Sequence, residues 1–295
     1  MVAVFTDWSA SWPAIGGYAV VAGAHLAGLT RLRAAGARPR AREAAAFQAG
    51  VLLALAALVS PCGYWAERFL WIHALQFIVL AVAATGLMVL GAPWQALHQA
   101  LRPRSRAAPR PAAGPVPSLA DALRTPLPVR YPVATVTLVL VIWVGWQFPA
   151  LSAAVRGSGG VALVYHLTIV AAGLLFWLQL IGSRPLTPAA PPLRRLGLIV
   201  ASVGVATIGG MVLVFGSGVL YPGYANQWHH VMTVLDDQQL SGAVFWMGML
   251  PPLIVVAISL LMRWLSEEES ADLSAGLDRL LTPRKNAWSA RPGIR

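Results

Sequence analysis

Long apolar runs alternate along the chain with short connections that carry most of the arginines. Seven runs reach the roughly 20 residues that a helix needs to cross a bilayer; they cover residues 12–30, 45–66, 69–92, 132–151, 160–182, 195–218 and 241–263. Because lipid offers no partners to unpaired backbone groups, such runs predict helices. The predicted fold class is all-α: a polytopic membrane protein built as a seven-transmembrane-helix bundle.

Composition supports this class, and the distribution of charge predicts the orientation of the bundle in the membrane. The chain is 57% hydrophobic and only 11% charged, whereas soluble domains carry roughly 25% charged residues. Of its 22 lysines and arginines, all but Arg68 and Arg156 fall on one side of the predicted bundle. The positive-inside rule then places the N-terminus outside and the C-terminus in the cytoplasm, in the plasma membrane. The net charge of +11 needs no nucleic acid to explain it.

The pattern divides the chain into two parts. Residues 1–263 form the predicted transmembrane domain, including a Pro/Arg-rich cytoplasmic loop over 102–131. Residues 264–295 form a cytoplasmic tail. Its segment "WLSEEESADLSAGLDRLL" predicts an amphipathic helix that lies on the membrane surface or docks a partner.

Ionisable residues are costly inside a membrane, so each one in a span is a hypothesis for a functional site. His73 and His166 lie a few residues inside the outer ends of their spans, at about the same depth. The topology places five more polar residues at the same depth. These are His229 and His230, in the external loop before the last span, and Asp236, Asp237 and Gln238, at the start of that span. Gln76 lies three residues after His73 and therefore on the same helix face. His25 lies deeper, and we interpret it as a packing residue.

Neutral imidazole is a good ligand for copper and zinc, and carboxylate completes a borderline site. The sequence therefore predicts a metal site of His73, His166, His229, His230 and Asp237, with Gln76, Asp236 and Gln238 in support. Plainer interpretations stay open. A histidine within a span often bonds to a neighbouring helix, and Asp236 with Thr233 fits a helix capping box.

The residue types present in the chain limit which other functions are possible. A retinal Schiff base needs a lysine within a span, and the only lysine is Lys285 in the tail. A bis-histidine haem between His73 and His166 stays open. The single cysteine, Cys62, excludes an internal disulfide and a CxxC motif.

Three segments together resemble the CtaG-like cytochrome c oxidase assembly proteins. "HALQFIVLAVAATGLMVLGAP", which begins at His73, is similar to the third-span motif of that family. "YHLTIVAAGLLFWLQLIGSRP", with His166, Gly173 and Trp177, is similar to a later span. Asp237, Gln238, Gly242 and Trp246 match the pattern at the start of the last span. Phe77, Ala162 and Tyr165 stand where the family pattern has histidine, histidine and glutamate.

The resemblance implies a protein that is not an enzyme but an assembly factor for a haem-copper cytochrome c oxidase. It implies copper as the metal, presented or inserted from an outward-facing membrane site. The implied partners are oxidase subunits, the lipid bilayer and a copper-donor protein. The alternatives are a metal-independent membrane scaffold that binds oxidase subunits and a small-ion or metal transporter.

Overall fold

The computed structural model describes residues 11–102, 130–224 and 232–281. Over these ranges the chain is helical and contains no β-strand. We number its α-helices as follows: α1 Trp12–Ala34, α2 Ala41–Val59, α3 Pro61–Ala66, α4 Leu70–Ile78, α5 Thr85–Leu90, α6 Trp94–Leu101, α7 Pro132–Trp146, α8 Pro149–Gly157, α9 Gly159–Leu180, α10 Pro192–Phe215 and α11 Val234–Leu281.

Five helices in the described ranges are long and apolar enough to cross a membrane: α2, the continuous rod Leu70–Leu90, α9, α10 and the first part of α11. A sixth is added when α7 and α8 are counted together as one bent span. The chain is thus a multi-pass membrane protein, as the apolar runs predict. Helix α1 is not among these five or six, so the count of seven spans and the orientation of the termini remain predictions.

The fourth predicted span differs most from its sequence expectation. In place of one rod over 132–151, α7 and α8 meet at an angle of 70°. The cause is Pro149, which starts α8 and holds the preceding Phe148 in an extended conformation, with ψ of 133°. The bend places Arg156, on α8, beside the connection that follows α10.

The rod Leu70–Leu90 forms the centre of the bundle. Its middle, Val79–Ala84, is a π-helix between α4 and α5, and Leu80, Ala81 and Val82 are fully buried there. The indole N–H of Trp177 on α9 donates to the carbonyl oxygen of Val82 at 2.8 Å. The third predicted span is therefore held inside the protein, with little of its surface left for lipid.

Helices α10 and α11 cross at two glycines. A Cβ on Gly210 would lie 2.9 Å from the carbonyl oxygen of Gly242, and one on Gly242 would lie 2.7 Å from that of Gly210. Helix backbones in membranes approach this closely only where small residues face each other. The close packing fixes the start of α11, where the polar stretch of the last span lies.

Helix α11 is longer than predicted at both ends. It begins at Val234 rather than near residue 241 and continues without interruption to Leu281. The acidic and amide residues that precede the apolar part of the last span therefore lie in the first turns of α11. The tail predicted as a separate amphipathic helix is, as far as Leu281, an extension of the same helix.

A candidate histidine cavity

His73 and His166 come together at one end of the bundle. His73 lies on the first turns of α4, and His166 lies on α9. Both line a cavity of about 520 Å³, which we call the histidine cavity. Its other polar lining residues include Glu67, Gln76 and Arg156.

The ring of Tyr165 contacts both imidazoles. It stacks on that of His73, with centroids 5.3 Å apart and an interplanar angle of 19°. The ring of His166, the next residue along α9, lies 5.0 Å from the same tyrosine ring and is tilted by 58° to it. Trp146 meets Tyr165 edge-on at 5.3 Å. These aromatic contacts restrict the rotamers of both histidines, so the two rings are pre-positioned.

Asp237 lies outside the histidine cavity but controls the helix that carries His73. Its two carboxylate oxygens accept the backbone N–H groups of Leu70, at 2.8 Å, and Trp71, at 3.0 Å. These are the first residues of α4, whose N–H groups have no partner within the helix. Asp237 is buried and thus caps α4 from another span.

The neighbouring acid serves its own helix. The side chain of Asp236 accepts the hydroxyl of Thr233 at 2.7 Å, and the backbone N–H of Asp236 donates to that hydroxyl at 3.1 Å. This is the reciprocal capping arrangement that the sequence allowed as the plainer interpretation. Asp236 is exposed at the start of α11.

The two amides of the predicted site are also engaged with backbone. Gln238 is fully buried. Its Oε1 accepts the N–H of Leu220 at 2.7 Å, and its Nε2 donates to the carbonyl of Gly218 at 3.0 Å. Gln76 donates to the carbonyl of Ala57 at 2.8 Å. Each amide joins one helix to a segment distant in sequence, although Gln76 also lines the histidine cavity.

The three departures from the family pattern have distinct surroundings. Phe77 is fully buried and contacts Trp143 and Phe245. Ala162 lines the histidine cavity, where its small side chain leaves room. Tyr165 is 1% exposed, and its hydroxyl has no hydrogen-bond partner among the described residues.

Sequence reasoning did not select Tyr165, Glu67 or Arg156. Arg156 lies over the ring of Tyr224 at 3.9 Å and donates to the carbonyl of Gly223 at 2.6 Å. Burial raises the pKa of the Tyr224 hydroxyl to about 12. The sequence feature that could have identified Arg156 is its charge, because it is one of two basic residues on the outer side of the predicted topology.

Within the described residues, the histidine cavity offers two histidines as metal ligands. No group of three or more His, Cys, Asp or Glu suited to a metal ion occurs within residues 11–102, 130–224 and 232–281. His229 and His230 lie outside these ranges, so their place in the predicted metal site is not described.

Comparison with known proteins identifies the family of the chain. Over 281 residues the chain is 24% identical to an uncharacterised protein of Mycobacterium leprae (strain TN), an alignment that covers 91% of this chain and 41% of that protein. The chain thus spans about two fifths of the length of that relative. No solved structure matches it. A family model described as "cytochrome c oxidase caa3 assembly factor" (Caa3_CtaG) matches residues 23–267, which include every predicted site residue. The chain therefore belongs to the cytochrome c oxidase caa3 assembly factor family.

Proposed function

We propose that this protein assists the assembly of a haem-copper cytochrome c oxidase by holding copper transiently in the histidine cavity and passing it to an oxidase subunit. His73 and His166 are the proposed ligands. The observation that carries the proposal is that two histidines from different spans line one cavity and contact the same tyrosine ring. Copper is the cargo of this process, and the protein has no catalytic step.

The donor chemistry favours copper that is delivered over copper that is retained. Imidazole nitrogen is a suitable ligand for copper. Two ligands leave coordination positions open for a donor or acceptor protein. A saturated site would release its metal more slowly.

In this proposal Asp237 positions the site and does not bind the metal. Both of its oxygens already accept backbone N–H groups of α4, so the carboxylate holds the first turn of the helix that carries His73. His229 and His230 remain proposed additional ligands from the connection before α11. The proposed location is the plasma membrane, with the cavity facing outward toward a copper-donor protein.

A metal-independent scaffold is the second candidate. It is favoured by one observation: Asp237, Gln76 and Gln238, all selected as polar site residues, make hydrogen bonds to the backbone of other segments, and Asp236 caps its own helix. In a scaffold the polar residues would stabilise a surface for oxidase subunits. The histidines would then be dispensable.

Copper loading of the full-length protein separates the two candidates. We expect purified protein to bind Cu(I), and His73→Ala or His166→Ala to lower the affinity by at least about 10- to 100-fold, the size of loss already seen when outer ligand supports are removed. His98→Ala, on α6, is the matched control and should bind as the wild type does. Circular dichroism and size-exclusion chromatography check that each variant is folded.

The same variants are then tested in cells. In a strain that lacks the gene, the wild-type protein and His98→Ala should restore the copper content of the oxidase, whereas His73→Ala and His166→Ala should not. Full rescue by all four proteins, together with no bound copper in vitro, would overturn copper delivery and leave the scaffold. Failure of the wild-type gene to affect the oxidase would overturn both candidates.

A further inference from the structure

A second, apolar cavity adjoins the histidine cavity. It has a volume of about 320 Å³, and we call it the apolar cavity. The two cavities lie side by side between α1 and α9, with α2 behind them, and we call the pair the cleft. They share five lining residues: Ala14, Gly17, Leu58, Leu167 and Val170. The cleft runs along the bundle, from the end that carries Arg156 toward the end that carries Trp94.

Polarity changes along this cleft. The charged and polar lining residues are confined to the histidine cavity: Ser11, Glu67, His73, Gln76, Arg156 and His166. The apolar cavity is lined by hydrocarbon and aromatic side chains, among them Phe47, Val51, Met88, Leu97 and Leu174. A ligand that matches both parts has a polar head and a hydrocarbon tail.

The walls of the cleft are apolar side chains that the protein itself leaves uncovered. On α9, Leu163 is 45% exposed and Leu167 is 61% exposed; on α1, Val21 is 41% exposed. A Cβ added to Gly17 would meet nothing within 4 Å. The space beside Gly17 is thus open, and these exposed side chains can contact a hydrocarbon chain of the surrounding bilayer.

The volume of the cleft is that of a small-molecule site. The two cavities have volumes of about 520 Å³ and 320 Å³, and cavities of about 300–1,000 Å³ are typical of sites for small molecules. A single lipid with its acyl chain in the apolar part is the membrane component that matches this size class and the change of polarity along the cleft.

The charges at the polar end indicate the head group. Glu67 and Arg156 both line the histidine cavity. Within the described residues neither takes part in a salt bridge, since both ion pairs found there are made by Glu43, with Arg40 and Arg184. A head group with one negative and one positive charge complements this pair, the phosphate toward Arg156 and the ammonium toward Glu67.

We propose that the cleft between α1 and α9 is a binding site for one zwitterionic glycerophospholipid of the bilayer, with its head group between Glu67 and Arg156 and one acyl chain in the apolar cavity. The site does not depend on copper. A bound lipid would close the lateral opening of the histidine cavity, so that access to His73 and His166 would be restricted to the end of the bundle.

Two neighbouring valines provide the test. Val21 lines the apolar cavity, whereas Val20, which is 70% exposed, does not. The full chain carrying Val21→Trp or Val20→Trp is expressed in a host with phosphatidylethanolamine and phosphatidylglycerol, washed in mild detergent and analysed by mass spectrometry of retained lipid. Wild type and Val20→Trp should retain about one phosphatidylethanolamine per chain, and Val21→Trp about tenfold less, because a tryptophan there displaces two or more buried methylene groups.

A head-group variant tests the charge assignment. Glu67→Gln removes the negative partner of the ammonium group, so the retained lipid should shift from phosphatidylethanolamine toward phosphatidylglycerol. Equal retention in Val20→Trp and Val21→Trp would overturn the site, and an unchanged ratio in Glu67→Gln would overturn the zwitterionic head group. Cu(I) binding, measured on the same samples, should be the same in Val21→Trp as in the wild type, which keeps this test separate from that of copper delivery.

Discussion

The carboxylate of Asp237 accepts a hydrogen bond from the backbone N–H of Leu70, which lies 167 residues earlier in the chain. The contact joins the start of the last span to the start of the rod that carries His73. A side chain that satisfies the free N–H groups of another helix fixes where that helix begins. The position of His73 therefore depends on a residue of α11.

Replacement of Asp237 should destabilise the bundle more than replacement of its neighbour. In Asp237→Asn an amide N–H₂ group faces a backbone N–H, which leaves a buried donor unpaired at a cost of about 1–3 kcal/mol. Asp236→Asn, at an exposed capping position, should cost at most about 1 kcal/mol, because asparagine is also a good N-cap residue. Denaturant or thermal unfolding in detergent measures both. Equal losses would contradict the capping role of Asp237.

Gln238 should matter for the connection between α10 and α11. Gln238→Leu keeps the volume but removes the partners of Leu220 and Gly218, and we expect a loss of about 1–3 kcal/mol. Hydrogen exchange should rise at the N–H of Leu220 in this variant. Gln239→Leu is the matched control, since Gln239 is half-buried. Unchanged protection at Leu220 would show that the bond contributes little.

Two adjacent glycines of α10 should respond in opposite directions to alanine. In Gly210→Ala the new Cβ would lie 2.7 Å from the Cβ of Trp246 and 2.9 Å from a backbone oxygen, so α10 and α11 must separate, at a cost of about 1–3 kcal/mol. In Gly209→Ala the Cβ meets nothing within 4 Å, and the higher helix propensity of alanine should stabilise by up to about 1 kcal/mol. Unfolding of the two variants side by side gives the sign of each effect. A stabilised Gly210→Ala would refute the close crossing.

Stability should fall in strong alkali through Tyr224. Burial raises its pKa to about 12 in the folded protein, whereas an unfolded tyrosine has a pKa of about 10. The unfolded state therefore binds fewer protons between these values, and the contribution of Tyr224 to stability is full below pH 10 and is lost as the pH rises toward 12. Tyr224→Phe should show a smaller loss over this range in unfolding experiments. An absorbance titration that placed the phenol of Tyr224 near 10 would contradict this.

The sequence predicts the helical architecture well because membrane helices are encoded locally, by length and hydropathy. It also predicts that His73 and His166 lie at one level, since depth follows from counting residues along each span. The capping role of Asp236 was available for the same reason, because its partner Thr233 is three residues away.

Other features depend on contacts that no local pattern encodes. The hydrogen bonds of Asp237 to α4 and of Gln238 to the residues after α10 join separate segments of the chain. The sequence shows the polarity of these two residues but not their partners, and both were therefore predicted as site residues. The bend at Phe148 is a different case, because Pro149 encodes it locally, and only the hydropathy of the run, which predicted one straight span, gives no sign of it. The stacking of Tyr165 on His73 depends on the relative rotation of α4 and α9, which the sequence leaves open.

The π-helix at Val79–Ala84 has a consequence for how the central span tolerates change. In an α-helix each residue turns the chain by about 100°, and a π segment contains an extra residue relative to an α-helix of the same height. Deleting one residue within this segment would convert the rod into a regular α-helix. Its length along the axis would stay the same, and its two ends would keep their rotation relative to each other. Compared with a deletion elsewhere in the rod, this one should leave both His73 and the Leu90–Pro93 end in place. The span can therefore lose one residue within Val79–Ala84, whereas a deletion elsewhere in the rod would rotate its two ends relative to each other by about 100°.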